Sequence, residues 1–173
     1  MILHPDAREA QKGLLVSMAE LNIGDQAPRF TLPKNGGGEV SLADYLGKIV
    51  VLYFYPKDNT EGCTIEAQDF TRLTKDFEAA GAVIIGMSPD SAKKHDNFCK
   101  KHGLGITLAS DESTEVLAAY GIWAEKTMYG KSYMGVVRTT MLIGRDGAIA
   151  RIWPKVSVKG HAEEVLEAVK ALA

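Results

Sequence analysis

The chain has 173 residues, 46% of them apolar and 24% charged, with a formal net charge of −2. That is one domain's length with apolar material for a full core, and the near-neutral balance gives no global attraction to phosphate backbones or anionic membranes. Two cysteines are too few for a disulfide-stapled scaffold, no segment approaches the ~20 apolar residues of a membrane span, and the N-terminal stretch has no uninterrupted apolar core of signal-peptide length. The chain is therefore read as cytoplasmic, without nucleic-acid or membrane partners.

Residues 1–21 place Ala7, Ala10, Leu14, Met18 and Leu21 at three- and four-residue steps behind Pro5 and Asp6. This is the pattern of a short amphipathic helix, read as an N-terminal extension to a single domain over 22–173. Short strands are expected at 30–32 and around Val40, flanking a turn at 34–38 whose three glycines permit positive φ. Residues 42–46 fit one or two helical turns. The stretch 49–55 carries only aliphatic and aromatic residues, as a central strand buried on both faces does.

A polar turn holding Pro56, Thr60 and Gly62 then leads to Cys63 and a helix running to about Ala80, stopped at Gly81. Residues 82–87 repeat the buried-strand pattern, so this strand–helix–strand unit implies a right-handed parallel crossover. A helix over 91–102 ended by Gly103, a strand at 106–108 and a helix at 113–120 continue the series. Residues 123–135 show no clear period and read as a surface loop. Strands at 136–143 and 148–153, joined through Asp146 and Gly147, form an antiparallel hairpin, and a helix over 160–173 closes the chain.

This layout puts the Cys63 thiol at a helix mouth. There it sits among backbone N–H groups without intrahelical partners, at the positive end of the helix dipole, which favours the thiolate. With Thr60 as N-cap, Cys63 takes the third helical position, where a capping box would carry Glu or Gln. The Thr60 hydroxyl is then on offer to the sulfur or to a bound oxygen. Pro56 fixes the turn and walls the sulfur from water.

Ionisation alone gives little. Lowering a thiol's pKa from about 8.5 to about 6 raises its thiolate fraction at pH 7 roughly thirtyfold, but the accompanying loss of nucleophilicity leaves only a few-fold gain. A fast thiol enzyme needs donors and a fixed cation over the reacting atoms, and Arg138, at the start of a strand near loops, is the candidate cation. A buried structural cysteine, and an arginine merely laid along the sheet surface, are the alternatives at this point.

Pro56, Thr60 and Cys63, in PKDNTEGC, match the P-x-x-x-T-x-x-C motif of the peroxiredoxins. GDQAPRFTLP, GMSPDSAKKHDNF and VVRTTMLIGRDG extend the similarity over about residues 22–172, and the chain resembles the bacterioferritin comigratory protein (PrxQ) subgroup. The resemblance implies a thioredoxin-like α/β fold, a central mixed sheet flanked by helices, and a thiol-dependent peroxidase with no cofactor or metal. It implies that Cys63 is the peroxidatic thiolate, that Thr60 and Arg138 hold sulfur and peroxide oxygens in line, that Pro56 shields the site, and that the Gly62 and Cys63 N–H groups are donors. The expected substrates are hydrogen peroxide and organic hydroperoxides, the expected reductant is thioredoxin or a similar thiol donor, and the expected state is a monomer.

Two departures matter. Glu61 stands where many members carry the proline of T-P-G-C, adding a carboxylate beside the thiol, and Gln68 takes the position five residues after Cys63 where many carry a second cysteine. The other thiol is Cys99. Some members place the resolving cysteine in that helix, so the resemblance assigns Cys99 to a disulfide with Cys63. A bridge needs Cα atoms within roughly 7 Å, so one or both helices are expected to unwind locally on oxidation.

His95, Cys99 and His102 share a helix face at a spacing that also suits a metal, though no fourth ligand is evident. Lys93, Lys94, Lys100 and Lys101 read as a solvated face that would also favour a Cys99 thiolate. Trp123, Tyr129 and Tyr133 read as loop packing or as a docking surface for a reductant. Two other functions stay open: a thioredoxin-like disulfide reductase, weakened because Cys63-Thr64-Ile65-Glu66 lacks the second cysteine of a C-x-x-C pair, and a redox-sensing or holdase module acting through protein partners.

Overall fold

A computed structural model of the chain describes residues 21–173, so the expected N-terminal helix lies outside the described residues except for Leu21. Strands β1 (Thr31–Pro33) and β2 (Glu39–Ser41) pair antiparallel around the 34–38 turn, where Gly36, Gly37 and Gly38 have φ of 80, 88 and 72°. Side chains there would be strained in that left-handed region. A 3-10 turn over Leu42–Tyr45 leads into β3 (Ile49–Phe54), every residue of which is buried. Its odd-numbered residues enter one core with Cys63, Phe70, Phe98 and Val165, and its even-numbered residues enter a second with Phe30, Leu117, Tyr120 and Met141. The uninterrupted apolar run is thus the two-sided burial of a central strand.

The Cys63 helix, expected as one run, is two: α1 (Glu61–Arg72) and α2 (Thr74–Ala79), meeting at Leu73 with φ −96° and ψ 5°. The break turns Phe70, Leu73 and Phe77 into the same core, and the Thr74 hydroxyl donates to the Phe70 carbonyl at 3.0 Å across it. Gly81, at φ 84°, ends α2 as expected. Next come β4 (Ala82–Ser88) and α3 (Ala92–His102), the latter capped by Ser91 Oγ, which accepts from the Lys94 N–H, and closed by Gly103 at φ 63°. β5 (Thr107–Ser110) and α4 (Glu115–Ala119) complete that half of the domain.

The stretch expected as a loop is a β-hairpin, β6 (Trp123–Met128) paired antiparallel with β7 (Lys131–Val136). Its two-residue turn has positive φ at both Tyr129 (54°) and Gly130 (77°), the geometry that matches strand twist. Most of the hairpin stays exposed or half-exposed, Met128, Tyr129, Tyr133 and Met134 among the exposed residues, so no apolar alternation marked it. β8 (Thr139–Ile143), β9 (Ile149–Trp153) and α5 (His161–Leu172) close the chain. The strand expected at 136–143 is interrupted at Val137 and Arg138.

The five-stranded sheet has order β5-β4-β3-β8-β9, with β3, β4 and β5 mutually parallel and β8 antiparallel to both β3 and β9. This is the expected mixed sheet. The pairing Phe54↔Thr139 brings the segment leaving β3 and the segment entering β8 to one end of the sheet. Among the described residues no helix is long and apolar enough to cross a membrane.

Candidate active site

That end of the sheet holds Cys63 and Arg138. Cys63 is 1% exposed on the first turn of α1, and Arg138, half-buried just before β8, donates from Nη2 to Cys63 Sγ at 3.2 Å. Its other nitrogen, Nη1, donates to Glu66 Oε1 at 2.6 Å. Glu66, three residues after Cys63, therefore shares its helix face and is 2% exposed. Gly62 lies against the guanidinium, where a Cβ would meet Nη2 at 3.4 Å, an ordinary van der Waals contact. The first three amides of α1 have no intrahelical acceptor.

Thr60 takes the N-cap position with extended backbone, but its hydroxyl donates to the Lys57 carbonyl at 2.7 Å and makes neither the expected cap nor a bond to the sulfur. Its carbonyl instead accepts from the N–H of Thr64, at 2.9 Å, and from the Thr64 hydroxyl, at 2.7 Å. The Thr60 oxygen keeps lone pairs for an incoming O–H. Pro56, half-buried, follows Tyr55 directly at the end of the central strand, and Asn59 carries the turn's left-handed residue at φ 64°.

The electrostatics are those of a partly dry pocket. Burial pushes the Glu66 carboxyl up to about 7 against the pull of Arg138. Burial pulls Arg138 down, but Glu66 and then Cys63 carry it above its ordinary value. The hairpin brings in Lys126, which burial and then Arg138 hold below its ordinary value. The Tyr53 hydroxyl and Glu66 Oε2 are buried with no hydrogen-bond partner among the described residues. Sequence reasoning missed Glu66, Lys126 and Tyr53; for Glu66 the available signal was an acidic residue one turn beyond the thiol, beside Ala67 and Phe70 on the buried face.

Cys99 lies on α3, half-buried, and both cysteines are free thiols. Asn35 Nδ2 donates to Cys99 Sγ at 3.4 Å. Burial pushes this thiol up to about 11, with Asn35 opposing. His95 is fully buried between Asp58 and the Ala109 carbonyl, and His102 faces Asn59 at 3.1 Å, and no group of three or more potential metal ligands occurs among the described residues.

A buried thiol at a helix mouth, bonded by an arginine that stands just before the neighbouring antiparallel strand of a mixed α/β sheet, is an arrangement suited to thiolate chemistry. The sequence of residues 23–152 matches the AhpC/TSA family. The chain is 47% identical over 146 residues to a putative peroxiredoxin bcp of Coxiella burnetii, covering 84% of this chain and 97% of that one, and 44% identical over 153 residues to peroxiredoxin Bcp of Bacillus subtilis, covering 88% and 98%. Among solved structures, a cysteine-to-serine variant of Xylella fastidiosa PrxQ superposes with a TM-score of 0.84 at 41% identity, covering 88% of this chain and 98% of that one. Xanthomonas campestris peroxiredoxin Q superposes with a TM-score of 0.79 at 45% identity, covering 82% and 90%. The chain belongs to the AhpC/TSA family and is a peroxiredoxin, an enzyme that takes a peroxide substrate and a thiol reductant.

Proposed function

We propose that the chain reduces hydrogen peroxide and organic hydroperoxides in the cytoplasm, acting as a monomer, with Cys63 as the attacking thiolate, Cys99 as its resolving partner and thioredoxin or a similar donor as reductant. The observation that carries this reading is the Arg138 guanidinium bonded at once to Cys63 Sγ and to buried Glu66. A Xanthomonas campestris bacterioferritin comigratory protein similar to this chain at 44% identity is described as having alkyl peroxide reduction activity, which supports the organic substrates. A chain with two cysteines, too few for a disulfide-stapled scaffold, suits a reducing compartment.

In the first step the Cys63 thiolate attacks the nearer peroxide oxygen. An S–O bond forms as the O–O bond breaks, and the leaving alkoxide or hydroxide takes a proton and departs as alcohol or water. Charge developing on both oxygens faces Arg138 and the free amides of Gly62 and Cys63, where preorganised donors act on the transition state. The Thr60 oxygen accepts the peroxide O–H and aligns it, and Pro56 limits water at the sulfur. In the second step the Cys99 sulfur attacks the Cys63 sulfenic acid, forming S–S, breaking S–O and releasing water. The reductant's dithiol then returns both thiols and leaves as its own disulfide.

Mapping sulfur states by mass spectrometry after one equivalent of hydrogen peroxide tests the scheme. Wild type is expected to show an intramolecular 63–99 disulfide, and Cys99→Ser a trapped sulfenic or over-oxidised Cys63. An unreacted Cys63 would sink the peroxidase role of that residue, and a bond between chains would sink the intramolecular step.

A further inference from the structure

The turn that delivers Cys63 is fastened to the helix that carries Cys99 by a buried polar cluster that takes no part in the peroxide chemistry. His95, one turn before Cys99 on α3, is 0% exposed, and Asp58, in the turn between β3 and α1, is 6% exposed. His95 Nδ1 lies 2.7 Å from Asp58 Oδ2, and Nε2 lies 2.9 Å from the Ala109 carbonyl on β5. A carbonyl only accepts, so Nε2 carries a hydrogen, and a second proton is shared between Nδ1 and Oδ2. Tyr55 Oη donates to Asp58 Oδ1 at 2.6 Å. The Asp58 N–H donates to Asp90 Oδ2 at 2.8 Å, which also accepts from Ser88 Oγ. Both ring nitrogens and both carboxylate oxygens are engaged away from water, where each bond is strong and each broken one costly.

At the surface the same seam is open. Lys57, Asp58, Asn59, Asp90, Lys94 and Asn97 line a cleft of about 240 Å³ between turn and helix, with the Asp58 carboxylate at its floor 6% exposed, and the outer contact is the exposed His102–Asn59 pair. The buried pair is a polar tie shielded from solvent, and it joins the turn bearing Thr60 to the helix bearing Cys99.

We propose that Asp58 and His95 form a latch that holds the Cys99 helix closed against the peroxidatic turn, and that its release gates formation of the Cys63–Cys99 disulfide. The proposal rests on Cys99 being the resolving thiol. Neither residue touches peroxide or sulfur; both are positioning residues. While the latch holds, Cys99 stays half-buried and protonated against Asn35. Asp58 lies two residues before Thr60 in the turn that leads to Cys63, so a displacement of that turn on oxidation of Cys63 would reach the latch through the chain itself.

The test is a double-mutant cycle of Asp58→Asn and His95→Gln, with two readouts. Rapid mixing with excess hydrogen peroxide separates the peroxide-dependent oxidation of Cys63 from the peroxide-independent formation of the disulfide, and hydrogen exchange reports opening of residues 96–102 in the reduced protein. His95→Gln is expected to speed disulfide formation and helix exchange together by about tenfold, the worth of one buried charge-assisted bond, while the peroxide-dependent phase stays within about twofold of wild type. The double variant is expected to show much less than the product of the two single effects. It buries no unpaired charge, so it carries the test if either single variant fails to fold. Disulfide formation at the wild-type rate in every folded variant, or independent multiplication of the two effects, would overturn the latch and leave Cys99's role intact. A wild-type protein that forms no 63–99 bond would overturn both.

Discussion

Replacing Arg138 by methionine separates the two ways in which a cation can help a thiol. Methionine has similar reach and donates nothing, so the change removes the 3.2 Å bond to Cys63 Sγ and the 2.6 Å bond to Glu66 Oε1. In the ground state the losses oppose one another. A positive charge leaves the sulfur, but Glu66, 2% exposed and deprived of its guanidinium, takes up a proton, and a negative charge leaves with it. The thiolate population therefore changes by less than about tenfold, the scale of one charge-assisted bond partly offset. In the transition state no such offset exists, and removing a preorganised donor from the developing oxyanion costs about 2.7–4 kcal/mol, or 10²–10³ in rate. Stopped-flow fluorescence against peroxide concentration gives the rate constant, ultraviolet thiolate absorbance the ionisation, and alkylation by iodoacetamide a reaction with no developing oxyanion. A peroxide rate that falls only as far as the thiolate fraction, or an alkylation rate that falls equally, would refute the argument.

Glu66→Gln keeps an acceptor for Arg138 and removes a carboxyl whose value rises from 4.5 to about 7 on folding. The folded protein binds the extra proton between those values, so wild-type stability is greatest below the lower one and is lost as pH rises to the higher, by as much as about 3 kcal/mol. Urea unfolding at pH 5 and pH 8 is expected to show the variant gaining on wild type with pH; a constant difference would refute the shift. Gly86→Ala puts a Cβ 2.7 Å from Tyr53 Cζ and 2.8 Å from Leu108 Cδ2, so overpacking is expected to cost about 1–3 kcal/mol, and an unchanged denaturation midpoint would contradict it. In reduced Cys63→Ser protein, alkylation of Cys99 is expected to titrate near 11 when folded and near the ordinary thiol value of about 8.5 in urea. A folded midpoint at the ordinary value would show that burial does not restrain this thiol.

Local chemistry was readable from the chain. Ser91 and Gly103 bound the Cys99 helix, the glycines at 36–38 make the first turn, and the aliphatic and aromatic run at 49–54 is a strand buried on both sides. Each is written in a few neighbouring residues whose preferences agree with the fold. The 123–136 hairpin was missed because most of it stays outside the core, and its Tyr129-Gly130 turn lacks the Asn-Gly or Asp-Gly signal. The break at Leu73 was missed because it serves the shared burial of Phe70 and Phe77, a tertiary demand that local propensity does not record.

The candidate site divides in the same way. By itself the sequence determined the thiol at a helix mouth, the motif around it and the need for a distant cation, because these follow from spacing within one segment and from the energetics of thiolate attack. Only the tertiary structure decided that the cation is paired with Glu66, that the Thr60 hydroxyl turns to Lys57, and that His95 fastens Asp58. Those facts depend on β8 lying antiparallel beside β3 and on α3 packing against the β3 exit. Contacts between residues 72 or 37 positions apart are set by which elements bury their faces together, and no local pattern in either partner carries that information.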